Sequence, residues 1–391
     1  MSGVRYSLQA ENDLPASALP LIRSPRFHSC DTNMTHVVSV RGNTPLDTVP
    51  PDYLPAGAEA RWYVLQAGPD AGKKLFFYDS VLGQGEPLAT VVFVHGNPES
   101  SYTYRQAMDA MVSQFDGAVR VVAMDHIGFG LSDQASFEMV DFHHARNLRE
   151  LVEYLDLRDA TLVIHDWGGA IGVGAFIDMP ERVNALVLMN TTVFPMPADG
   201  FDYRNFPFPG FMAWNRLGHW WPARWWRFIP PMVMFSPAGR FAFLRHSVSF
   251  AWRALTRQLS AKEQMYRDMF RTRSNALSSM RNVKQTGVWG HGYRYFDETL
   301  GWQDNSEFYR NIHNKISKVW GAGGRSIPAR AVWGLWDPCA KDSVRQQWLL
   351  ALPQLEGNYE LFPERGHFVE EQEPEAVARA IVNVVAEATR E

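Results

Sequence analysis

The sequence predicts an α/β protein built on a mostly parallel, eight-stranded sheet with helices on both faces and an inserted helical lid. Apolar runs of strand length alternate with segments of helical periodicity over residues 59–193 and again over residues 328–391. Such alternation is typical of a parallel sheet that is covered on both sides. Residues 194–327 interrupt it with an aromatic-rich stretch, which predicts a helical lid domain inserted between two strands. Residues 1–58 predict an N-terminal arm that is partly ordered or packed against a partner subunit.

The eight expected strands are short runs of β-branched, aliphatic and aromatic residues. They cover residues 61–66, 73–80, 89–94, 120–124, 162–164, 185–189, 329–333 and 359–362, and the first two form a hairpin. Helical periodicity predicts helices over residues 142–156, 342–352 and 374–389. Polar residues follow several of the strands directly. Because the carboxyl ends of parallel strands meet at one edge of a sheet, we expect these residues to converge there.

Composition excludes several classes of protein. The 38 Lys and Arg residues and 42 Asp and Glu residues are mixed along the chain, and a net charge of −4 gives no case for nucleic-acid binding. Cys30 and Cys339 are the only cysteines, which leaves neither a disulfide framework nor a metal-type spacing. The first thirty residues have no apolar run of signal-peptide length, and no window reaches about 18 consecutive apolar residues. We therefore expect a cytoplasmic protein with no nucleic-acid or membrane partner.

The most informative stretch is residues 161–174, in which an apolar strand runs into Asp166 and the pair Gly168-Gly169 opens a helix. This strand–turn–helix is the pattern of a nucleophile elbow, with Asp where serine is usual. An ionised carboxylate needs no base before it attacks, and it suits displacement at a saturated carbon to give an alkyl ester. The backbone N–H of Trp167 would then stabilise the oxyanion when water hydrolyses that ester. A simpler interpretation is that Asp166 caps the following helix.

Two further residues follow later strands in the order expected for a catalytic triad. Asp337 follows the strand at 329–333, and His367 follows the strand at 359–362. A neutral histidine can take a proton from the water that attacks the ester, and an aspartate can fix its tautomer and stabilise the imidazolium. Each alone has a simpler interpretation, as a turn-forming Asp and a solvated His. Together with Asp166 they match the nucleophile–acid–histidine order.

These motifs together resemble the haloalkane dehalogenases of the α/β-hydrolase superfamily. The resemblance covers about residues 60–390, and it is close over the sheet and loose over the lid. The motifs that carry it are His95-Gly-Asn-Pro98, Asp125-x-x-Gly-x-Gly-x-Ser-Asp133, His165-Asp-Trp-Gly-Gly169, Gly334-x-x-Asp337 and Gly366-His-Phe368. The resemblance implies the α/β-hydrolase fold, no cofactor or metal, and a small apolar halogenated substrate that is converted to an alcohol and a halide ion.

The resemblance also implies roles for the groups around the nucleophile. A departing halide needs N–H donors, because forming an ion in a dry pocket is costly. In the family an Asn and a Trp supply them, which implies that Asn97 Nδ2 and Trp167 Nε1 bind the halide and that the backbone N–H groups of both residues form the oxyanion hole. A simpler interpretation is that Trp167 only packs and Asn97 only shapes a turn. Asn190 stands where some members carry a Glu, so Asp337 takes the acid's place. This pattern resembles the third dehalogenase subfamily, whose members tend to be oligomeric.

Two other functions stay open on the sequence. An epoxide hydrolase would share the Asp166, Asp337 and His367 triad but would use lid tyrosines to protonate the epoxide oxygen. The candidates are Tyr203, Tyr266, Tyr293, Tyr295 and Tyr309. Asn97 argues against this function, because epoxide hydrolases usually have an apolar residue there. The second alternative is a hydrolase-fold protein that has become a non-catalytic binding module, and the intact triad argues against it.

Overall fold

The computed structural model describes residues 36–38, 41–199, 220–337 and 340–390. In chain order the strands are β1 Val37–Val38, β2 Arg61–Val64, β3 Lys74–Leu82, β4 Pro87–Val94, β5 Ala118–Met124, β6 Ala160–His165, β7 Val183–Met189, β8 Arg294–Asp297, β9 Gly301–Asp304, β10 Ala329–Trp336 and β11 Tyr359–Gly366. Nine of them form one sheet in the order β1-β2-β3-β5-β4-β6-β7-β10-β11. The pairs from β1 to β5 along this order are antiparallel, and all later pairs are parallel.

The helices connect these strands and build the lid. They are α1 Arg105–Gln114, α2 Asp141–Tyr154, α3 Trp167–Phe176, α4 Ala223–Trp226, α5 Ile229–Met234, α6 Arg240–Leu255, α7 Ala261–Met269, α8 Arg273–Gln285, α9 Ser306–Val319, α10 Asp342–Ala351, α11 Val369–Gln372 and α12 Pro374–Ala388. Short 3-10 turns lie at Ser101–Tyr104, Pro180–Arg182, Thr286–Val288 and Pro353–Leu355.

The predicted α/β fold with a mostly parallel sheet is confirmed, with one strand more than expected. All eight predicted strands are present, including the antiparallel hairpin of β2 and β3. The ninth strand, β1, comes from the predicted arm, where Val37 pairs with Tyr63 and Val38 pairs with Trp62. A two-residue strand gives too short a pattern for periodicity to detect.

Alternation of side chains along the strands builds a core on each face of the sheet. In β4, Val92 and Val94 belong to the apolar cluster on one face, and Val91 and Phe93 belong to the cluster on the other. The first cluster includes side chains from α2, α3, α9 and α10, and the second includes side chains from α1 and α12. Because both faces are covered, the central strands read as continuous apolar runs, as parallel strands do.

The region between β7 and β10 holds the helices α4 to α8 and the antiparallel hairpin of β8 and β9. The described part of the inserted region is mainly helical, and residues 294–304, where the aromatic-rich sequence indicated no particular element, pair as two short strands. Helix α9 lies against α3 and α10, so this last part of the inserted region covers the sheet. The boundaries of arm, core and lid stay predictions.

Part of the predicted arm packs on the core. Tyr53 is 1% exposed, and its hydroxyl donates to Asp125 Oδ2 over 2.7 Å. Cys30, Cys339 and Tyr203 lie outside the described residues, as do residues 1–35 of the arm. Within the described ranges, no helix has the length and apolar character needed to cross a membrane.

Candidate active site

Asp166 lies at a sharp turn between β6 and α3. Its positive φ of 49° is rare for a residue with a side chain and typical of strained functional turns. The backbones around it approach closely: a Cβ on Gly168 would lie 2.2 Å from the carbonyl oxygen of Val94, and one on Gly96 would lie 2.5 Å from Asp166 Oδ1. The predicted elbow is therefore present. The interpretation of Asp166 as a helix cap is wrong, because its side chain makes no capping hydrogen bond to α3.

The three predicted triad residues meet at the carboxyl edge of the sheet. His367 Nε2 lies 3.1 Å from Asp166 Oδ2, and His367 Nδ1 lies 2.7 Å from Asp337 Oδ2. The Asp337 side chain is 2% exposed and that of Asp166 is 7% exposed, whereas His367 keeps 20% of its side-chain surface. The histidine is thus reachable by water, while both carboxylates are nearly enclosed.

Asp337 has a second partner that the sequence did not reveal. Asn190 Nδ2 donates to Asp337 Oδ2 over 2.7 Å, and Asn190 Oδ1 accepts the backbone N–H of Gly334 over 2.8 Å. Asn190 follows β7 and Asp337 follows β10, which are neighbours in the sheet. The asparagine therefore fixes the acid by bridging two strand ends. Its only signal in the sequence was the absence of a carboxylate at that place.

The two carboxylates control the protonation of His367. Burial by itself lowers the pKa of His367, but the charge of Asp337 and the hydrogen bonds to Asp166 and Asp337 outweigh burial and raise this pKa well above its usual value. An imidazolium between two carboxylates is the expected resting state. Loss of either negative charge would lower the pKa of the ring.

Asn97 contacts both the nucleophile and the lid. Its backbone N–H donates to Asp166 Oδ1 over 2.7 Å, which is the contact expected of an oxyanion-hole donor. Its Nδ2 lies 3.4 Å from the carbonyl oxygen of Ser279 on α8, a long hydrogen bond. Asn97 is 7% exposed. The simpler interpretation, in which it only shapes a turn, does not explain the contact with Asp166.

A cavity that is partly open to solvent lies over the triad. Its lining is mostly apolar and aromatic, as is usual for small-molecule sites: Asn97, Pro98, Asp166, Trp167, Trp226, Ile229, Val233, Ser236, Val283, Thr286, Trp289, Trp336, Asp337, Gly366, His367, Phe368 and Gln372. All five residues predicted for the site, Asp166, His367, Asp337, Asn97 and Trp167, line this one cavity. Trp167 stacks on Trp289 of the lid region with ring centroids 4.0 Å apart.

None of the described tyrosines lines the cavity. The Tyr266 ring is buried with 0% exposure, the Tyr295 hydroxyl donates to the carbonyl oxygen of Glu138, and the Tyr309 hydroxyl donates to Asp141 Oδ2 over 2.6 Å. The Tyr293 hydroxyl accepts a hydrogen bond from Arg281. Four of the five tyrosines considered for an epoxide hydrolase therefore lie outside the cavity lining, although the buried Tyr266 hydroxyl has no hydrogen-bond partner among the described residues, and the fifth, Tyr203, lies outside the described residues.

A buried ionic cluster that sequence reasoning missed lies behind the triad. His165 Nδ1 is 2.7 Å from Glu99 Oε1, and His165 Nε2 is 2.9 Å from the carbonyl oxygen of His367. The carbonyl oxygen of His367 can only accept, so Nε2 carries a hydrogen, and Nδ1 and Glu99 Oε1 share another. Burial lowers the pKa of His165, but the carboxylates of Glu370 and Glu99 outweigh it and raise this pKa to about 9. The cluster thus holds the backbone of His367 through a buried imidazolium.

The same cluster has the residue types of a metal site. One ligand atom from each of Glu99, His165 and Glu370 lies within 4.8 Å of the others. Both ring nitrogens of His165 already lie at hydrogen-bond distance from oxygen acceptors, and Glu370 Oε1 accepts from Thr103 Oγ1 over 2.8 Å. The geometry therefore favours an ion-pair cluster, because a metal would have to displace these bonds.

With this geometry established, comparison with known proteins identifies the family. A family model described as the alpha/beta hydrolase fold matches residues 89–374, well over half of the chain. The chain belongs to the alpha/beta hydrolase fold family. This agrees with the sheet order, with the elbow after β6 and with the triad order of Asp166, Asp337 and His367.

Curated relatives within this family carry two different names. A cis-3-alkyl-4-alkyloxetan-2-one decarboxylase from Shewanella oneidensis is 40% identical over 130 residues, 32% of this chain and 38% of that protein. One of the same name from Xanthomonas campestris is 26% identical over 320 residues, 79% of this chain and 91% of that protein. A haloalkane dehalogenase from Mycolicibacterium smegmatis is 38% identical over 135 residues, 33% of this chain and 40% of that protein. The chain thus matches about two fifths of the length of the more identical relatives.

Solved structures support the fold. The tetrameric haloalkane dehalogenase DpaA from Paraglaciecola agarilytica superposes with a TM-score of 0.59 and 19% identity, covering 88% of this chain and 97% of that one. At 19% identity, this similarity supports a shared fold and not a shared reaction.

Proposed function

We propose that this chain hydrolyses haloalkanes to an alcohol and a halide ion through an alkyl ester on Asp166. The observation that carries the proposal is the carboxylate of Asp166 at the elbow, 3.1 Å from His367 Nε2, in an apolar cavity that Asn97 and Trp167 also line. A carboxylate nucleophile suits displacement at a saturated carbon. The cavity supplies an apolar surface for the alkyl chain and N–H donors for a leaving anion.

In the first step one oxygen of Asp166 attacks the carbon that bears the halogen, and the halide leaves with the bonding electrons. Oδ1 accepts the backbone N–H of Asn97 over 2.7 Å and stays in the oxyanion hole, whereas Oδ2 has the longer contact of 3.1 Å with His367 Nε2, so Oδ2 is the oxygen that attacks. The departing halide takes hydrogen bonds from Asn97 Nδ2 and Trp167 Nε1. To bind it, Asn97 Nδ2 gives up its long contact with Ser279.

Esterification prepares His367 for the second step. The ester on Asp166 carries no charge, so one of the two carboxylates that raise the pKa of His367 is lost. The imidazolium then gives its extra proton to solvent at a lower pH than before, and the neutral ring can take a proton from water. The water oxygen attacks the ester carbon while the charge on Oδ1 develops in the oxyanion hole. The ester bond breaks and the alcohol leaves with the proton from His367. The new carboxyl group of Asp166 then gives its proton to His367, which restores the carboxylate and the imidazolium.

A second candidate function rests on the relative that matches this chain over most of its length, which is named as an oxetan-2-one decarboxylase. In a four-membered lactone the leaving group is the ring carboxylate. Attack of Asp166 on the saturated ring carbon bonded to the ring oxygen breaks that bond and gives an ester plus a free carboxylate. Loss of carbon dioxide, with departure of the Asp166 carboxylate, then gives an alkene. This route needs no water, so His367 would not act as a base.

The experiment that tests the proposal compares three substrate panels on one preparation of the protein. Bromoalkanes are assayed for bromide by ion chromatography, cis-3,4-dialkyl oxetan-2-ones for alkene, and terminal epoxides for diol. Asp166→Ala is run beside each panel. Bromide release that the variant abolishes is the expected result.

Alkene without bromide would overturn the dehalogenase proposal in favour of the lactone route. Diol without bromide would overturn it in favour of the epoxide route, and no product in any panel would favour the binding module. The cytoplasmic location and the self-association expected from the sequence stay predictions.

A further inference from the structure

Helix α6 (Arg240–Leu255) exposes a row of large apolar side chains to solvent. The exposed fractions are 89% for Phe241, 60% for Leu244, 64% for Val248, 65% for Trp252 and 81% for Leu255. Single exposed apolar residues are ordinary on a protein surface, but a continuous row of this kind marks an interaction site. These five residues are called the α6 stripe below.

The spacing of the α6 stripe places it on one side of the helix. At about 100° per residue, the five positions fall within roughly 80° of arc. Phe243 and Phe250, which are 4% and 3% exposed, lie on the opposite side and pack into the protein. Helix α6 therefore has two apolar faces, of which one packs into the protein and the other is exposed in the described part of the chain.

Basic residues flank the α6 stripe. On the same helical projection Arg240 and Arg245 fall on either side of the row, and both are exposed. The helix contains no Asp or Glu. The third arginine of the helix is Arg253. Among the described residues it is the one of the three that forms an ion pair, with the carboxylate of Glu263. The chain as a whole has a net charge of −4, but this surface is locally basic. Its arginines are complementary to anionic lipid headgroups, and its apolar row is complementary to the acyl chains beneath them.

The N-terminal end of α6 adjoins a groove that shares lining residues with the active-site cavity. A groove beside the lid shares Ser236, Trp336 and Gln372 with the cavity. The same groove includes Gly239, the residue directly before α6. A layer that covered the α6 stripe would therefore lie next to an opening that leads to Asp166.

We propose that the α6 stripe binds the surface of an anionic lipid layer, with the five apolar side chains inserted among the acyl chains and the arginines at the headgroups. A second copy of the chain is a poorer occupant, because α6 contains no Asp or Glu that could pair with Arg240 and Arg245 across a two-fold contact of this helix with itself. The docked lid would take apolar substrates from the layer into the cavity. The proposal does not rest on the proposed activity, since binding is measured without substrate.

The test is flotation of the full chain with phosphatidylcholine vesicles, with and without phosphatidylglycerol. The wild type should float with the anionic vesicles, and added salt should weaken binding. In the double variant Leu244→Ser and Trp252→Ser, binding should fall by more than about tenfold, since two large apolar side chains lose their contact with the acyl chains. The matched control is Leu350→Ser, which changes a leucine that is 79% exposed on α10. Circular dichroism checks that each variant is folded.

Binding that the double variant loses and the Leu350 variant keeps supports the proposal. The proposal would be overturned if the wild type bound neither kind of vesicle, or if the double variant still bound. It would also be overturned if neither protein bound vesicles and light scattering showed self-association of the wild type that the double variant lost. The last result would assign the α6 stripe to a contact between copies.

Discussion

Asn190 and His367 share the carboxylate of Asp337, both binding Oδ2 over 2.7 Å. Asn190 follows β7, at the place where some haloalkane dehalogenases carry the acid of the triad. In this chain Asp337 supplies the acid, and Asn190 holds Asp337 in place. The geometry gives Asn190 a positioning role that can be measured.

Replacement of Asn190 by Ala should lower kcat by roughly tenfold to a hundredfold, because losing a hydrogen bond to a buried charged group costs about 1.5–3 kcal/mol. KM should change little, since Asn190 does not line the cavity. Steady-state kinetics on a bromoalkane measures both constants. Thr192→Ala is the control, because Thr192 is buried at the same strand end and its Oγ1 accepts, among the described residues, the backbone N–H of Phe194. An Asn190 variant with normal kcat would remove the residue from the site.

Trp167→Phe should slow bromide displacement by about 10²–10³-fold, the usual effect of removing one donor from a developing anion. Phenylalanine keeps an aromatic ring against Trp289 but has no N–H. Trp289→Phe is a matched control, because it removes an indole N–H from the same stack, one that is buried without a hydrogen-bond partner among the described residues. Stopped-flow or steady-state bromide release measures the rates. Equal losses in the two variants would mean that the N–H of Trp167 has no special role in halide release.

Glu370→Gln should stabilise the protein increasingly as the pH rises from about 4.5 to about 7. Burial raises the pKa of Glu370, the charge of His165 lowers it, and the net result is a value of about 7. The pKa of Glu370 is thus higher in the folded protein than in the unfolded chain. The contribution of the protonated Glu370 side chain to the free energy of unfolding is therefore complete below the unfolded pKa, and it is lost as pH rises through about 7. The neutral glutamine keeps the place of the side chain beside Thr103 and does not ionise.

Melting temperatures of wild type and variant across this pH range measure the difference. The exposed Glu375→Gln serves as control. A melting-temperature difference for Glu370→Gln that is constant with pH, or that shrinks as pH rises, would contradict the assignment of a raised pKa to Glu370.

The sequence predicted the sheet and the triad because both leave strong local signals. Apolar runs mark the buried parallel strands, and the unusual Asp166 at the elbow reads directly as a carboxylate nucleophile. The roles of these site residues are proposals that the experiments here test. Asp337 and His367 were found by their order and by their place after strands.

Other features leave no local signal, because they depend on which strand ends become neighbours. Asn190 acts through Asp337, which is 147 positions away. The Glu99–His165–Glu370 cluster joins three segments that only the folded sheet brings together. The β8–β9 hairpin lies in an aromatic-rich stretch whose short strands match no period well. The α6 stripe is hidden in the sequence, because a helix with apolar residues on both sides reads like a buried helix.

The central claim is that Asp166 forms a covalent ester, and intact-protein mass spectrometry of the His367→Gln variant tests it most directly. Without the base, ester hydrolysis should stall, so incubation with 1-bromohexane should add one hexyl group, and peptide mapping should place it on Asp166. The same treatment of a variant carrying both His367→Gln and Asp166→Asn should leave the mass unchanged. An adduct that persists in the double variant, or a His367→Gln protein that stays unmodified while the wild type releases bromide, would contradict the mechanism.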